Sequence, residues 1–132
     1  MVRREVPIRD PSAWPALAVA LALMGLGSLF ILQPGWGASL FGLPAPEAAG
    51  AAWISVVGVR DLAFGGYVLT LLRFATVRAV GIVLAVTALI PVADVLILLR
   101  VHGLDAGWNL LPHLGSFAVT GLAAIWTLRR GP

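Results

Sequence analysis

The sequence predicts an all-α membrane protein, folded as an antiparallel bundle of four transmembrane helices. Two observations lead to this prediction. Of the 132 residues, 60 % are hydrophobic and 11 % are charged, with a mean hydropathy of +0.98, which is typical of chains that lie in lipid. The apolar residues also fall into four stretches, each close to the roughly 20 residues that a helix needs to cross the hydrocarbon core: residues 14–32, 50–72, 77–99 and 111–128.

These stretches use most of the chain, so we expect residues 1–132 to form a single integral membrane domain. We expect the lipid bilayer to surround it, because little sequence remains outside the helices. Such a domain has no room for a soluble catalytic module. The formal charge of +3 is therefore not a sign of nucleic-acid binding.

The first helix begins near Trp14 and is expected to be retained. Its apolar run is too long for the core of a signal peptide, and no convincing cleavage site follows it. The next segment, residues 33–49, contains Pro34, Gly35 and Gly37 as well as many apolar residues. It has too many turn-forming residues for a helix, so we predict an irregular connector in the lipid headgroup region.

The arginines predict the orientation, because positive residues accumulate in cytoplasmic loops. Arg100 and His102 fall in an exterior connector under this arrangement, but seven arginines lie on the opposite side. The sequence therefore predicts a multi-pass protein of the cell membrane with both termini in the cytoplasm. The seven arginines are Arg3, Arg4, Arg9, Arg73, Arg78, Arg129 and Arg130.

The second helix contains both small and charged residues. Gly58, Gly65 and Gly66 allow close approach of a neighbouring helix in lipid. Arg60 and Asp61 lie between them, and ionisable groups at membrane depth cost free energy and commonly serve a function. Consecutive helical residues point about 100° apart, so one of the pair faces the bundle centre and the other a neighbouring groove, although Arg60 has a stem long enough to bend back toward an inward carboxylate.

The third and fourth helices contribute further polar groups. Thr87, Pro91 and Asp94 share one face of the third helix, and Pro91 leaves the carbonyl of Thr87 without its helical partner. His113 and Thr120 share one side of the fourth helix. We expect these residues to form a polar notch inside the bundle.

The charges inside the bundle do not balance if every group has its ordinary state. One permanent cation, Arg60, faces the two carboxylates of Asp61 and Asp94. Either His113 carries a proton and completes the balance, or one aspartate is protonated. Both arrangements leave a group that can exchange a proton.

The same residues resemble a small four-helix membrane family, the one catalogued as domain of unknown function 4267. The resemblance extends from about Gly25 to the end of the fourth helix. It implies that Arg60, Asp61, Asp94 and His113 belong together as a set, and it implies no substrate. It depends on three motifs: Gly58-Val59-Arg60-Asp61-Leu62-Ala63-Phe64-Gly65, Leu89-Ile90-Pro91-Val92-Ala93-Asp94 and His113-Leu114-Gly115.

The first functional hypothesis is an intramembrane enzyme or binding protein for a lipophilic small molecule. Asp61, Asp94 and His113 would be catalytic, while Arg60 and Thr87 would bind the substrate. Isomerisation, cyclisation or hydration suits such acid and base groups. The sequence has no nicotinamide or flavin fingerprint and no phosphate-binding glycine loop, so no cofactor is expected.

The second hypothesis is a non-catalytic scaffold or subunit. An Arg–Asp pair between the second and third helices would then fix the register of the bundle, and the polar residues could support a homodimer. A proton-coupled transporter ranks lower, since one chain is too small to form a pathway. No metal site is expected at Asp61, Asp94 and His113, because buried Arg60 would repel the cation.

Overall fold

The computed structural model describes residues 9–44 and 46–130. These residues form helices joined by short connections and contain no strand, so the predicted all-α class is confirmed. The elements, in order, are a 3₁₀ turn at Pro11–Ala13, α1 (Trp14–Leu32), α2 (Pro34–Phe41), α3 (Ala48–Phe74), α4 (Val77–Thr87), α5 (Leu89–His102), a 3₁₀ segment at Gly103–Leu110 and α6 (Leu111–Arg130).

Three segments are long and apolar enough to cross a membrane. They are Pro11–Leu32, Ala48–Phe74 and Val77–Arg130, with lengths of 22, 27 and 54 residues. The third segment includes α4, α5, the 3₁₀ segment and α6. The protein therefore has membrane-type helices. Arg3 and Arg4, which contribute to the predicted orientation, lie outside the described residues.

The predicted irregular connector after α1 is wrong, because residues 34–41 form the helix α2. Pro34 occupies the first helical turn, where its missing N–H is not needed and its fixed φ suits a helix. Gly42 ends the helix in the left-handed region with a φ of 84°. The N–H of Leu43 donates to the carbonyl of Ala38 at 2.8 Å, which completes a Schellman-type end. The turn-forming residues are thus the start and stop signals of a short helix.

The predicted third helix, residues 77–99, is interrupted at Ala88, close to the proline that predicted a notch. α4 ends at Thr87 and α5 begins at Leu89. Pro91 explains the break, because it has no N–H for the carbonyl of Thr87 and its ring would clash with that carbonyl in a continuous helix. In α5 the same proline lies in the first turn, where it is tolerated.

Glycines bring α1 and α3 into direct backbone contact. A Cβ built on Gly27 would lie 2.6 Å from the carbonyl oxygen of Gly58, and a Cβ on Gly58 would lie equally close to the oxygen of Gly27. A Cβ on Gly65 would lie 2.8 Å from the oxygen of Ala20. The residue order shows that the two helices run in opposite directions. A Cβ built on Gly66 would have no neighbouring atom within 4 Å, so the predicted role of Gly66 in helix packing is wrong.

α4 and α6 form the second closely packed pair, in which Gly81 contacts Leu128. The larger buried cluster lies where the two pairs meet, toward the end of α3 and the beginning of α4. It includes Ala16, Ala20, Val68, Leu72, Val80, Leu84, Ala123 and Ala124. Asp61 and His113 are buried outside this cluster, and His113 contacts the end of α2.

Candidate functional site

A cavity of about 280 Å³ lies between α1, α2, α3, α5, α6 and the end of α4. Its walls are mainly apolar and include Leu23, Leu26, Phe30, Leu40, Phe41, Phe64, Ile90 and Pro91. The five residues predicted as a site, Arg60, Asp61, Thr87, Asp94 and His113, all line this cavity. The structure thus brings together the set that the sequence singled out.

Helical spacing explains how these side chains reach the cavity. Asp61 lies on the buried face of α3, three residues after Gly58 and four before Gly65. Asp94 follows the buried Pro91 by three residues. His113 shares the buried face of α6 with Thr120, seven residues later. Residues at these spacings point to one side of a helix, so each element directs its polar group inward.

Asp94 and His113 form a contact between α5 and α6. Oδ2 of Asp94 lies 3.4 Å from Nδ1 of His113, and the two side chains are only 15 % and 6 % exposed. The other ring nitrogen, Nε2, lies 3.1 Å from the carbonyl oxygen of Phe41. The ring also meets the Phe41 ring edge-on, with centroids 4.6 Å apart.

These two contacts constrain the positions of the protons on His113. A carbonyl oxygen can only accept, so Nε2 of His113 must carry the hydrogen that it donates to Phe41. If the imidazole is neutral, Nδ1 then has a lone pair that faces an oxygen of Asp94. Two lone pairs would repel each other. A further proton, either on Nδ1 of an imidazolium or on the carboxyl group of Asp94, would remove this repulsion.

Arg60 and Asp61 form a second pair, within α3. Nη2 of Arg60 lies 3.5 Å from Oδ1 of Asp61, and the side chains are 43 % and 13 % exposed. Arg60 is exposed, so its predicted burial is wrong, and its guanidinium reaches the inward carboxylate of Asp61 from the exposed side. The Arg–Asp pair expected between the second and third helices is wrong for the described residues, because the ionic contact of Asp94 is with His113.

Thr87 lines the cavity at the break between α4 and α5. Its hydroxyl donates to the carbonyl of Val83 at 2.8 Å, which leaves the hydroxyl oxygen as an acceptor. The predicted polar notch at Thr87, Pro91 and Asp94 is thus part of the wall.

Sequence reasoning missed α2 and with it the contribution of Phe41. His102 and His113 each meet a carbonyl at the end of α2: Nε2 of His102 lies 3.0 Å from the oxygen of Gly42, and His113 contacts the oxygen of Phe41. The carbonyl end of a helix attracts such donors. Pro34 and Gly42 were the available signal, since this order of proline and glycine marks a helix start and stop.

The charged groups of the described residues do not assemble into a metal centre. No group of three or more His, Asp or Glu side chains in this part of the chain could hold a metal ion. The arrangement instead offers two polar pairs in a mainly apolar cavity. Groups of these types can form hydrogen bonds and exchange protons.

Comparison with known proteins gives one match. The family model described as Domain of unknown function (DUF4267) matches residues 20–128. This range includes all five residues of the candidate site. No curated protein and no solved structure matches the chain.

Proposed function

The chain belongs to the family of domain of unknown function 4267, and we propose that it binds a lipophilic small molecule in its cavity and exchanges a proton with it. Cofactor-free isomerisation, cyclisation or hydration is the class of reaction that fits. The observation that carries the proposal is the contact between Asp94 and His113 at the wall of an apolar cavity, and we infer that this pair shares one proton. Proton donors and acceptors held in such surroundings can act as general acids and bases.

Each polar residue has a separate role in this proposal. The Asp94–His113 pair gives one proton to the ligand, and the proton that Asp61 removes from the ligand returns to the pair to complete the cycle. Asp61 is the second carboxylate and can remove a proton at another position of the same molecule. Arg60 still has free N–H groups beside its contact with Asp61 and can orient an oxygen of the ligand. Thr87 offers its hydroxyl oxygen as an acceptor.

A scaffold is the second candidate, and one observation favours it. His113 connects three elements, since it lies on α6 and contacts Asp94 on α5 and Phe41 at the end of α2. A residue in this position could serve only to hold the helices together. The predicted homodimer belongs to this view and stays a prediction.

A glutamine substitution separates the two candidates. His113→Gln retains an N–H that can donate to Phe41 but removes the imidazole that shares a proton with Asp94. His102→Gln is the matched control, because His102 makes a similar contact with Gly42 and does not line the cavity. The measurement is thermal unfolding in detergent, with and without fractions of a lipid extract, followed by mass spectrometry of bound compounds.

If the cavity is a functional site, a fraction will raise the melting temperature of the wild type and of His102→Gln. The same fraction will not raise that of His113→Gln, although this variant unfolds near the wild-type temperature without ligand. If instead His113→Gln lowers the melting temperature by several degrees and no fraction shifts any protein, the scaffold view is correct.

We also propose that α1, α3, α4 with α5, and α6 cross the cell membrane as four antiparallel helices, with both termini in the cytoplasm. α1 has 19 residues and is about 28 Å long, close to the thickness of the hydrocarbon core. Gly81 packs on Leu128, so Arg78 and Arg129 lie near the same end of the molecule. Their common location supports a cytoplasmic face at that end.

Single cysteines will test this topology, since the sequence contains no cysteine. Cysteine at Ala49, which is exposed in the first turn of α3, is expected to react with an impermeant maleimide applied outside intact cells. Cysteine at Arg129, at the end of α6, is expected to react only after the membrane is opened. The reverse pattern would show that the orientation is inverted, and reaction of both from outside would refute four crossings.

A further inference from the structure

The volume of the cavity limits the size of its ligand. A cavity of about 150 Å³ lined by Leu, Ile and Phe is known to hold benzene, which has about six heavy atoms. By the same proportion, the cavity of about 280 Å³ accepts about 11 heavy atoms. A two-ring molecule of the size of naphthol fits this count. The cavity is partly open, so a long acyl chain or a four-ring molecule would extend out of it.

The charges that line the cavity limit the charge of the ligand. Arg60 is balanced by Asp61, 3.5 Å away. Asp94 and His113 share one proton, so this pair has no net charge whichever partner holds it. The polar wall is therefore neutral as a whole. A charged ligand would bring an uncompensated charge into apolar surroundings, and this costs free energy.

Unused hydrogen-bonding atoms indicate the polar group of the ligand. Oδ1 of Asp94 and Oδ2 of Asp61 make no hydrogen bond with the described residues, and Thr87 has a free acceptor. Arg60 is a donor with several N–H groups. One hydroxyl or carbonyl group can use these atoms, because a hydroxyl donates to a carboxylate while either group accepts from Arg60.

We propose that the ligand is a neutral, mainly apolar molecule of about 11 heavy atoms with one hydroxyl or carbonyl group. This inference rests on the proposed function, because it names the class of molecule for the same cavity. It excludes fatty acids, amines and phosphorylated lipids as occupants of the site.

The test uses compounds that share one ring system and differ in charge or size. The probes are 2-naphthol, 2-naphthoate and naphthalene-2-methylammonium, with 1-hydroxypyrene as the larger alcohol. Binding to the full chain in detergent is measured by isothermal titration. Leu26→Trp fills the cavity, because Leu26 lines it. Leu21→Trp is the matched control on the same helix, since Leu21 is 57 % exposed and lies outside the cavity lining.

We expect saturable binding of 2-naphthol to the wild type and to Leu21→Trp, and binding at least about tenfold weaker to Leu26→Trp. The two charged compounds should bind the wild type at least about tenfold more weakly than 2-naphthol. Any binding of 1-hydroxypyrene should be equal in the wild type and in Leu26→Trp, because this compound is too large to be enclosed by the cavity.

Three results would overturn the inference in different ways. Equal binding of a charged compound, lost in Leu26→Trp, would refute the neutral class but leave a ligand-binding cavity. Equal binding of 1-hydroxypyrene, lost in the same variant, would refute the size. If no compound binds in a manner that Leu26→Trp reduces, the inference fails. In that case the lipid-extract screen with His113→Gln decides separately whether the proposed function fails as well.

Discussion

Replacing Gly58 with alanine is expected to force α1 and α3 apart. The new Cβ would lie 2.6 Å from the carbonyl oxygen of Gly27, whereas ordinary contact begins at 3.4 Å, so the backbones must separate by about 0.8 Å. The obstacle is backbone, which cannot rotate away as a side chain can. Overpacking of this kind costs about 1–3 kcal/mol.

The matched control is Gly66→Ala in the same helix, because Gly66 meets nothing within 4 Å. Both substitutions gain the higher helix propensity of alanine, about 0.5–1 kcal/mol. The difference between the two variants therefore isolates the clash. Gly25→Ala is a second control, on α1, since Gly25 also faces open space.

The assay is unfolding in mixed micelles of mild detergent and sodium dodecyl sulfate, followed by circular dichroism. Gly58→Ala should unfold with a free energy about 1–3 kcal/mol below that of Gly66→Ala. Asp61 lies three residues from Gly58 and on the same buried face, so ligand binding should weaken in Gly58→Ala as well. If Gly58→Ala is as stable as Gly66→Ala, the close contact of α1 and α3 is not present in the protein.

Three further predictions concern the ends of α2, the shared proton and a buried hydroxyl. Gly42→Ala should destabilise the protein by at least about 1–2 kcal/mol in the same assay, because an L-residue is strained at positive φ and the new Cβ would lie 2.7 Å from the Cβ of Asn109. Gly35→Ala in the same helix should not, because a Cβ there has no neighbour within 4 Å. Equal stability of the two variants would refute the assigned end of α2. Asp94→Asn should remove the shared proton and leave His113 protonated at Nε2 alone, because the asparagine N–H₂ can donate to Nδ1. Nitrogen-15 spectra of labelled histidine measure the protonation of each ring nitrogen, and an unchanged Nδ1 signal would contradict the prediction. Thr127→Val should lower the free energy of unfolding by about 1 kcal/mol, because the fully buried hydroxyl of Thr127 donates to the carbonyl of Ser12 at 3.3 Å. Thr70→Val, at an exposed position, is the control. Equal melting temperatures of the two variants would show that the hydrogen bond of Thr127 contributes nothing.

Some features of the site followed from helical spacing alone. Asp94 lies three residues after Pro91, so the two share a face in any helix that contains them. The same rule placed His113 with Thr120 on α6. The need to keep charges away from lipid then directed these faces inward, and all five predicted residues line one cavity.

Other features needed the tertiary structure, because they join residues far apart in the chain. The contact between His113 and Phe41 spans 72 positions, and no local pattern predicts it. The sequence did not determine the ionic partner of Asp94 for the same reason, since both Arg60 and His113 were candidates. The packing of α6 beside α5 brings His113 into contact with Asp94. Gly58 and Gly66 also look alike in sequence, yet only Gly58 meets another backbone.

The sequence by itself determined the helical class, the membrane-type segments and the identity of the polar residues, because each depends on composition or on the regular spacing of one helix. Tertiary structure decided which helices touch, that α2 contributes Leu40 and Phe41 to the cavity wall, and that Asp94 contacts His113. These properties depend on distances between separate elements, which are set by close packing at Gly27 and Gly58 and by the carbonyl groups at the end of α2.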